Sequence, residues 1–369
     1  MTIKKQIFQV TIIPVLITIL AFGCSDDNKK SSKSDSKTIN ISGNISGGSA
    51  IANENIDVTN DNDLILGSGT SDSSGNYSVE ISENHSGSLT LSGASLSSHT
   101  PSLTGGLSTR ILAYLKIMNV KADTNIININ PITNAVWLKF SKQDSQNTDF
   151  ESSSTSIMDA IGGGMKYTHF AKQQITPISG DTNAKPSVVA VLLESLGKFI
   201  KGNGNISEFL LATSDNPNAT SLLEDDLFQV EVTSSFMANG YTPEKITEDF
   251  TQYTDGKAMV TIAKLGTLFE SVNEEIVGLT DAEKKLVFDG VKSAIQSVVK
   301  SIKQSNSVTS ISELGTNAFT NTVANTIKLS TEIIKKTVTE NSVDENSQEQ
   351  MIDYIGNEVG KNLVSSTVP

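Results

Sequence analysis

The residue with the sharpest chemistry in this 369-residue chain is its single cysteine, Cys24. A thiolate is a strong nucleophile, and it can carry a covalent group. With no second cysteine there is no internal disulfide, so stability must come from packed cores. The three histidines, His85, His99 and His169, are scattered and lack the HExxH or His/Cys spacing of an ordinary zinc site. Their surroundings predict solvated surface positions. The acidic run Asp57 to Asp63 has neither the central glycine nor the distal glutamate of an EF-hand, and it reads as an Asn/Asp-rich hairpin loop. Gly162-Gly163-Gly164 is not followed by the Lys-Ser/Thr of a phosphate loop and reads as a loop or hinge. No GxSxG elbow offers a hydrolase serine. The neighbouring acids Glu224-Asp225-Asp226 and Glu274-Glu275 point to different sides of a helix, which fits a solvated face better than an acid–base pair. The side chains therefore predict no metal site and no cofactor, and they assign no catalytic residue.

The residues around Cys24 give it a context. Lys4 and Lys5 make a short positive start. Ile7 to Phe22 is an apolar run of 16 residues interrupted by Gln9, Thr11, Pro14 and Thr18, shorter than the roughly 20 needed to span a bilayer. A charged start, a short apolar run and small residues at its end form a secretory signal, which is excluded from the fold. The run closes with Leu20-Ala21-Phe22-Gly23-Cys24. This resembles the lipobox of bacterial lipoproteins. The resemblance implies that residues 1–23 are a lipoprotein signal peptide, that Cys24 is acylated and begins the mature chain, and that the protein is exported to the cell envelope and held to a membrane. Each buried methylene of such an anchor contributes about 0.8 kcal/mol, so two or three acyl chains hold firmly. Ser25 resembles an outer-membrane sorting signal of some Gram-negative bacteria, which favours the outer over the inner membrane in such a host.

Residues 24–37 continue as a tether. From Ser25 to Lys37 the segment has no large apolar residue, so it cannot bury enough surface to order itself. Thirteen residues reach roughly 20 Å as a coil and about 45 Å when fully stretched. The net charge of −13 becomes −15 once the two signal lysines are removed. An acidic chain is a poor partner for nucleic acid, which binds through Lys and Arg. The charge supports solubility and repulsion from anionic surfaces.

The tether leads into alternating residues: Ile39, Ile41 and Ile45, then Ile56 and Val58, Leu64 and Leu66, Tyr77, Val79 and Ile81, Leu89 and Leu91. Period two predicts half-buried strands, and the Gly, Asn, Asp and Ser between them supply turns. Many short strands of this kind predict a β-sandwich over 38–130. Ile111 to Ile117 predicts a buried strand, and Ile127 and Ile129 alternate before Pro131. The stretches Ile41-Ser-Gly43-Asn-Ile45, Gly48 to Val58, and Thr70-Ser-Asp72-Ser-Ser-Gly75-Asn-Tyr77-Ser-Val79 together resemble the carboxypeptidase regulatory-like domain, a small transthyretin-like sandwich. The resemblance covers roughly 38–95 and implies a non-catalytic structural or binding module. Asp72 is suited to accept backbone N–H groups in its turn, and Gly75 to adopt positive φ.

At 131 the period changes from two to 3.6, which predicts an all-α helical bundle over 131–369. Pro131 biases Asn130 toward extended backbone, and Thr133 is the expected helix cap. Ile132, Val136 and Phe140 share a face. Pro186 is expected in the first turn of a helix carrying Val188, Val189, Leu192, Leu196, Phe199 and Ile200. Residues 221–238 and 257–277 have similar spacing. Capping boxes at Thr280–Glu283 and Ser310–Glu313 predict two more helices, and Ile352, Ile355, Val359 and Leu363 a last one.

The expected fold is thus α+β and multidomain, an N-terminal sandwich followed by a larger helical domain. The expected role is a membrane-anchored, non-enzymatic envelope lipoprotein that binds or supports. Its partners would be the membrane through its lipid anchor and an envelope protein or glycan, with no nucleic acid. Two rival readings are a hydrolase with dispersed carboxylates in the helical domain and a carrier of a lipid-like ligand between apolar helix faces.

Overall fold

The computed structural model describes residues 38–82, 87–95, 110–117, 125–142, 149–178, 185–200, 205–254, 257–304, 328 and 331–332. The expected signal and tether, Cys24, His85, His99, the capping box at 310–313 and the helix expected near 352–363 lie outside these. The chain is mixed α+β. Seven strands are described: β1 (Thr38–Asn44), β2 (Asn55–Asn60), β3 (Ile65–Thr70), β4 (Asn76–Ser82), β5 (Gly87–Ser95), β6 (Arg110–Ile117) and β7 (Asn125–Ile126). They form two sheets, ordered β4-β1-β7 and β3-β2-β5-β6. β1 runs antiparallel to β4, from Thr38 opposite Ser82 to Asn44 opposite Asn76, and parallel to β7.

The alternating residues meet in one core. Ile39, Ile41, Ile45, Tyr77, Val79 and Ile81 of the first sheet face Ile56, Val58, Leu89 and Leu91 of the second, with Ile127 and Ile129 beside them. Each such burial contributes about 1.5–3 kcal/mol. Of the Leu64/Leu66 pair only Leu66 packs against this core as expected. A bulge between Val58 and Thr59 sets an extra residue into β3, and beyond it Leu64 and Ile65 face outward. Leu64 is 62% exposed and Ile65 57%, while Leu66 is only partly buried. Further along β3, Gly67 and Gly69 pass close over β4. A Cβ on either would lie 2.5 Å from a backbone oxygen, Glu80 O or Ser78 O.

The Asp72 turn has the expected geometry. Its Oδ1 accepts N–H groups from Ser74 at 2.8 Å and Asn76 at 2.9 Å, and Gly75 sits at φ 76°.

The strand-to-helix switch falls at Asn130 and Pro131. Ile127 and Ile129 donate to the Ser42 and Asn44 carbonyls, extending the parallel pairing, and α1 (Pro131–Lys142) follows at once. The cap is Asn130, not Thr133. Asn130 Oδ1 accepts from the N–H groups of Ile132 and Thr133, and Thr133 Oγ1 accepts in return from the Asn130 N–H, all at 3.0 Å. Pro131 holds Asn130 extended, so its short amide reaches both orphan donors first.

The helices continue with α2 (Phe150–Ile161), α3 (Tyr167–Ala171), α4 (Val188–Phe199), α5 (Ile206–Asp215), a 3₁₀ turn (Leu222–Glu224), α6 (Asp226–Ala238), α7 (Pro243–Phe250), α8 (Lys257–Glu275) and α9 (Asp281–Gln304). Pro186 stands outside the first turn of α4. Ser187 is the cap, accepting from Ala190 N–H at 3.3 Å, and the Pro186 carbonyl instead accepts the Tyr241 hydroxyl at 2.7 Å. The stripe expected over 221–238 is broken at Asp225, whose carboxylate accepts from Leu227 and Phe228 and starts α6 afresh. Gly162, Gly163 and Gly164, all at positive φ, form the loop between α2 and α3. One apolar cluster joins these helices, with Ile132, Phe170, Leu192, Phe228, Phe236, Phe250, Phe269 and Val291 among its members. α6 is its centre, packed by α4, α8 and α9.

Candidate functional site

Two buried polar centres stand out among the described residues. The first joins strands to helices and is neutral. Asn128, 1% exposed, accepts the Asn44 N–H at 3.1 Å and donates to the Phe170 and Gln173 carbonyls at 3.1 and 2.6 Å. Asn130 donates to the same Phe170 carbonyl at 3.0 Å. The Tyr77 hydroxyl donates to the Ile127 carbonyl. Beside them Gly48, at φ 114°, lies against α4. A Cβ there would come within 3.0 Å of Glu194 N, so a side chain would push the loop off the helix. The Gly48 carbonyl also accepts the Ile178 N–H at 2.9 Å.

The second centre is charged and lies where α4, α6 and α9 meet. Glu231 of α6, with a side chain 4% exposed, faces Lys292 of α9, whose Nζ is 3.1 Å from Glu231 Oε2 and 3.2 Å from Asp289 Oδ1. On α4, Lys198 pairs with Glu194 at 3.0 Å and donates to Ser235 at 3.5 Å, while Asn239 donates to Glu194 at 3.1 Å. Burial raises the Glu231 pKa above the usual range, and the charges of Lys292 and Lys198 oppose this without cancelling it. Burial alone would lower the Lys292 value. The charges of Glu231 and Asp289, with their hydrogen bonds, reverse that and hold its ammonium protonated past the usual lysine range. Signs alternate along the seam, from Glu194 through Lys198, Glu231 and Lys292 to Asp289. Such an arrangement fixes how three helices register, since each charge left unpaired in a dry interior would cost several kcal/mol.

The residues singled out by sequence do not converge. Glu224 is exposed, Asp225 caps α6 and Asp226 is 5% exposed, so the solvated-face reading fails at Asp226, which begins a helix buried nearly all round. The side chains of Glu274 and Glu275 lie outside the described residues. Asp57 Oδ1 accepts from Asn55 at 3.0 Å and Ser68 at 2.8 Å, and Asn60 Oδ1 accepts from Asn62 and Leu64, which makes the acidic run a self-bonded hairpin. Among the described residues no group of three or more His, Cys, Asp or Glu is arranged to hold a metal ion. His169 is not at the surface. It is 9% exposed, its Nδ1 accepts the Lys166 N–H at 3.3 Å, and its ring meets Tyr253 edge-on at 5.1 Å. Burial, and secondarily the Lys166 charge, lower its pKa.

No family model, curated protein or solved structure matches the chain. Among the described residues no helix is long and apolar enough to cross a membrane. Sequence reasoning missed both polar centres. Their signal was faint but present: Glu231 sits between Val230 and Val232, Lys292 follows Val291, and Asn128 and Asn130 alternate with buried isoleucines.

Proposed function

We propose that this chain is an exported lipoprotein of the bacterial envelope, fixed to a membrane through acylated Cys24, with a non-enzymatic binding or supporting role. One observation carries the reading. The only cysteine in 369 residues directly follows a short apolar run that opens on Lys4 and Lys5 and closes on Gly23. A thioether-linked lipid there turns a water-compatible body into a surface fixture, and 13 polar residues then separate lipid from fold.

In this reading residues 38–130 are a transthyretin-like sandwich of the carboxypeptidase regulatory-like kind, and residues 131–369 a helical domain that carries the specific interaction with an envelope protein or glycan. Two sheets facing one core and the Asp72–Gly75 turn support the first assignment. The shared apolar cluster of α1 to α9 supports the second. The saturated pairing of the Glu231–Lys292 seam suits a scaffold better than proton transfer.

Growth with labelled fatty acid tests the proposal. The native chain should carry the label and sediment with membranes, and Cys24→Ala should lose both properties. Labelling that survives the substitution, or its absence from the native chain, contradicts the reading.

A further inference from the structure

α6 is capped by Asn239, and the next residue is Gly240. Glycine has no Cβ to shield its own nitrogen, and the asparagine before it carries an amide carbon that this nitrogen can reach by closing a five-membered ring. Asn239 is half-buried and Gly240 exposed. A Cβ on Gly240, at φ 76°, would meet nothing within 4 Å. The closed helix end restrains both reacting groups. The Gly240 N–H donates to the Met237 carbonyl at 3.1 Å, and the Tyr241 N–H to the Phe236 carbonyl at 3.1 Å. The Asn239 amide donates to the Ser235 carbonyl at 2.8 Å and to Glu194 Oε2 at 3.1 Å. Helix ends open at lower free energy than helix centres, so the step becomes reactive whenever this last turn frays.

We infer that Asn239 is a site of spontaneous deamidation, and that its conversion breaks the contact between the end of α6 and α4. The Gly240 nitrogen gives up its proton to water and bonds to Asn239 Cγ. The Cγ–Nδ2 bond breaks, and the amide nitrogen leaves as ammonia after taking up a proton. Water then opens the resulting succinimide. Cleavage at Cγ gives aspartate, and cleavage at the backbone carbonyl gives isoaspartate, so the net change is water consumed and ammonia released. No enzyme, oxidant or membrane is required. The consequence follows from what the amide touches. Glu194 accepts from Asn239 and pairs with Lys198 at 3.0 Å. After conversion a carboxylate faces the Glu194 carboxylate, with Lys198 to serve both, and like charges this close disfavour one another. Isoaspartate also lengthens the backbone at the residue whose neighbours close the last turn. The change runs one way, so it loosens α6 from α4 as the chain ages.

The test incubates the full chain in mildly alkaline buffer, folded and in urea, and maps its tryptic peptides by mass spectrometry. Fragmentation separates position 239 from Asn203, the first residue of the other Asn-Gly step in the sequence. Aspartate and isoaspartate should accumulate at 239 in the folded chain, several-fold more slowly than in urea. Glu194→Ala, which removes one of the two groups holding the amide, should bring the folded rate closer to that in urea. A folded chain that keeps Asn239 intact while the urea sample converts it overturns the inference, as does a Glu194→Ala chain that reacts no faster than the native one. Asn239→Asp then reads the consequence without waiting for the reaction. Its urea midpoint should fall below the native one, and adding Glu194→Gln should recover most of the loss, because the new amide donates to the new carboxylate. A double variant no more stable than Asn239→Asp alone overturns the charge opposition at α4.

Discussion

The two polar centres hold the molecule together by different means. At the strand–helix junction neutral amides do the joining, and Asn128 alone serves three backbone groups from two segments. At the helix seam the same task falls to full charges on α4, α6 and α9. An amide has no proton to gain or lose over the ordinary pH range, so the junction is indifferent to acidity. The seam is coupled to pH through Glu231. The strands and helices are thus fastened by a bond that conditions cannot tune, while the helices are fastened to one another by one that they can.

Breaking the seam on one side should have the largest effect. Lys292→Met leaves the Glu231 carboxylate buried beside a methyl group, and a loss of about 3–5 kcal/mol is expected in urea unfolding. Glu231→Leu combined with Lys292→Met should recover most of this, to within about 1 kcal/mol of the native chain. A double variant as unstable as the single one would mean that the pair stabilises outright and does not merely specify register.

The junction ranks next. Asn128→Ala strands the Asn44 N–H and the Phe170 and Gln173 carbonyls, with an expected cost of about 2–4 kcal/mol. This cost should be the same at pH 5 and pH 8, and a cost that varies would mean that acidity tunes the junction as well as the seam.

A smaller effect reads the seam's titration directly. The folded Glu231 value is raised above the ordinary 4.5, so the folded chain binds this proton more tightly than the unfolded one. Its contribution to stability is greatest below pH 4.5 and declines as pH rises through the raised value. The stability of native chain minus Glu231→Gln should therefore fall with rising pH over that window. The smallest effect is expected at His169, whose folded value is lowered below 6.5. Its contribution is complete above pH 6.5 and is lost as pH falls below it. His169→Phe, which keeps a ring against Tyr253, should remove that acid-side loss in the same titration.

The sequence made the elements legible where one periodicity ruled. The alternation from Ile39 to Leu91 placed nearly every inward residue of the two sheets, because period two is enforced by burial on one face. Leu64 escaped because a bulge is set by local pairing, which composition does not encode. α6 was harder for a different reason. A helix buried on all sides has no polar stripe to read, so nothing in the sequence sets Glu231 apart from a surface acid. His169 and Asp226 were misread in the same way, since burial depends on neighbours far away in the chain. The junction asparagines were visible only as residues beside the strand-to-helix switch at Pro131. Their longer reach, from Asn128 to Asn44 across 84 positions, is a tertiary fact.

The claim on which the envelope assignment stands is the state of one sulfur atom. Mass spectrometry of the N-terminal peptide from the native protein tests it most directly. The account predicts Cys24 as the first residue, carrying a thioether-linked diacylglyceryl group. A peptide that retains residues 1–23 ahead of an unmodified thiol would contradict it.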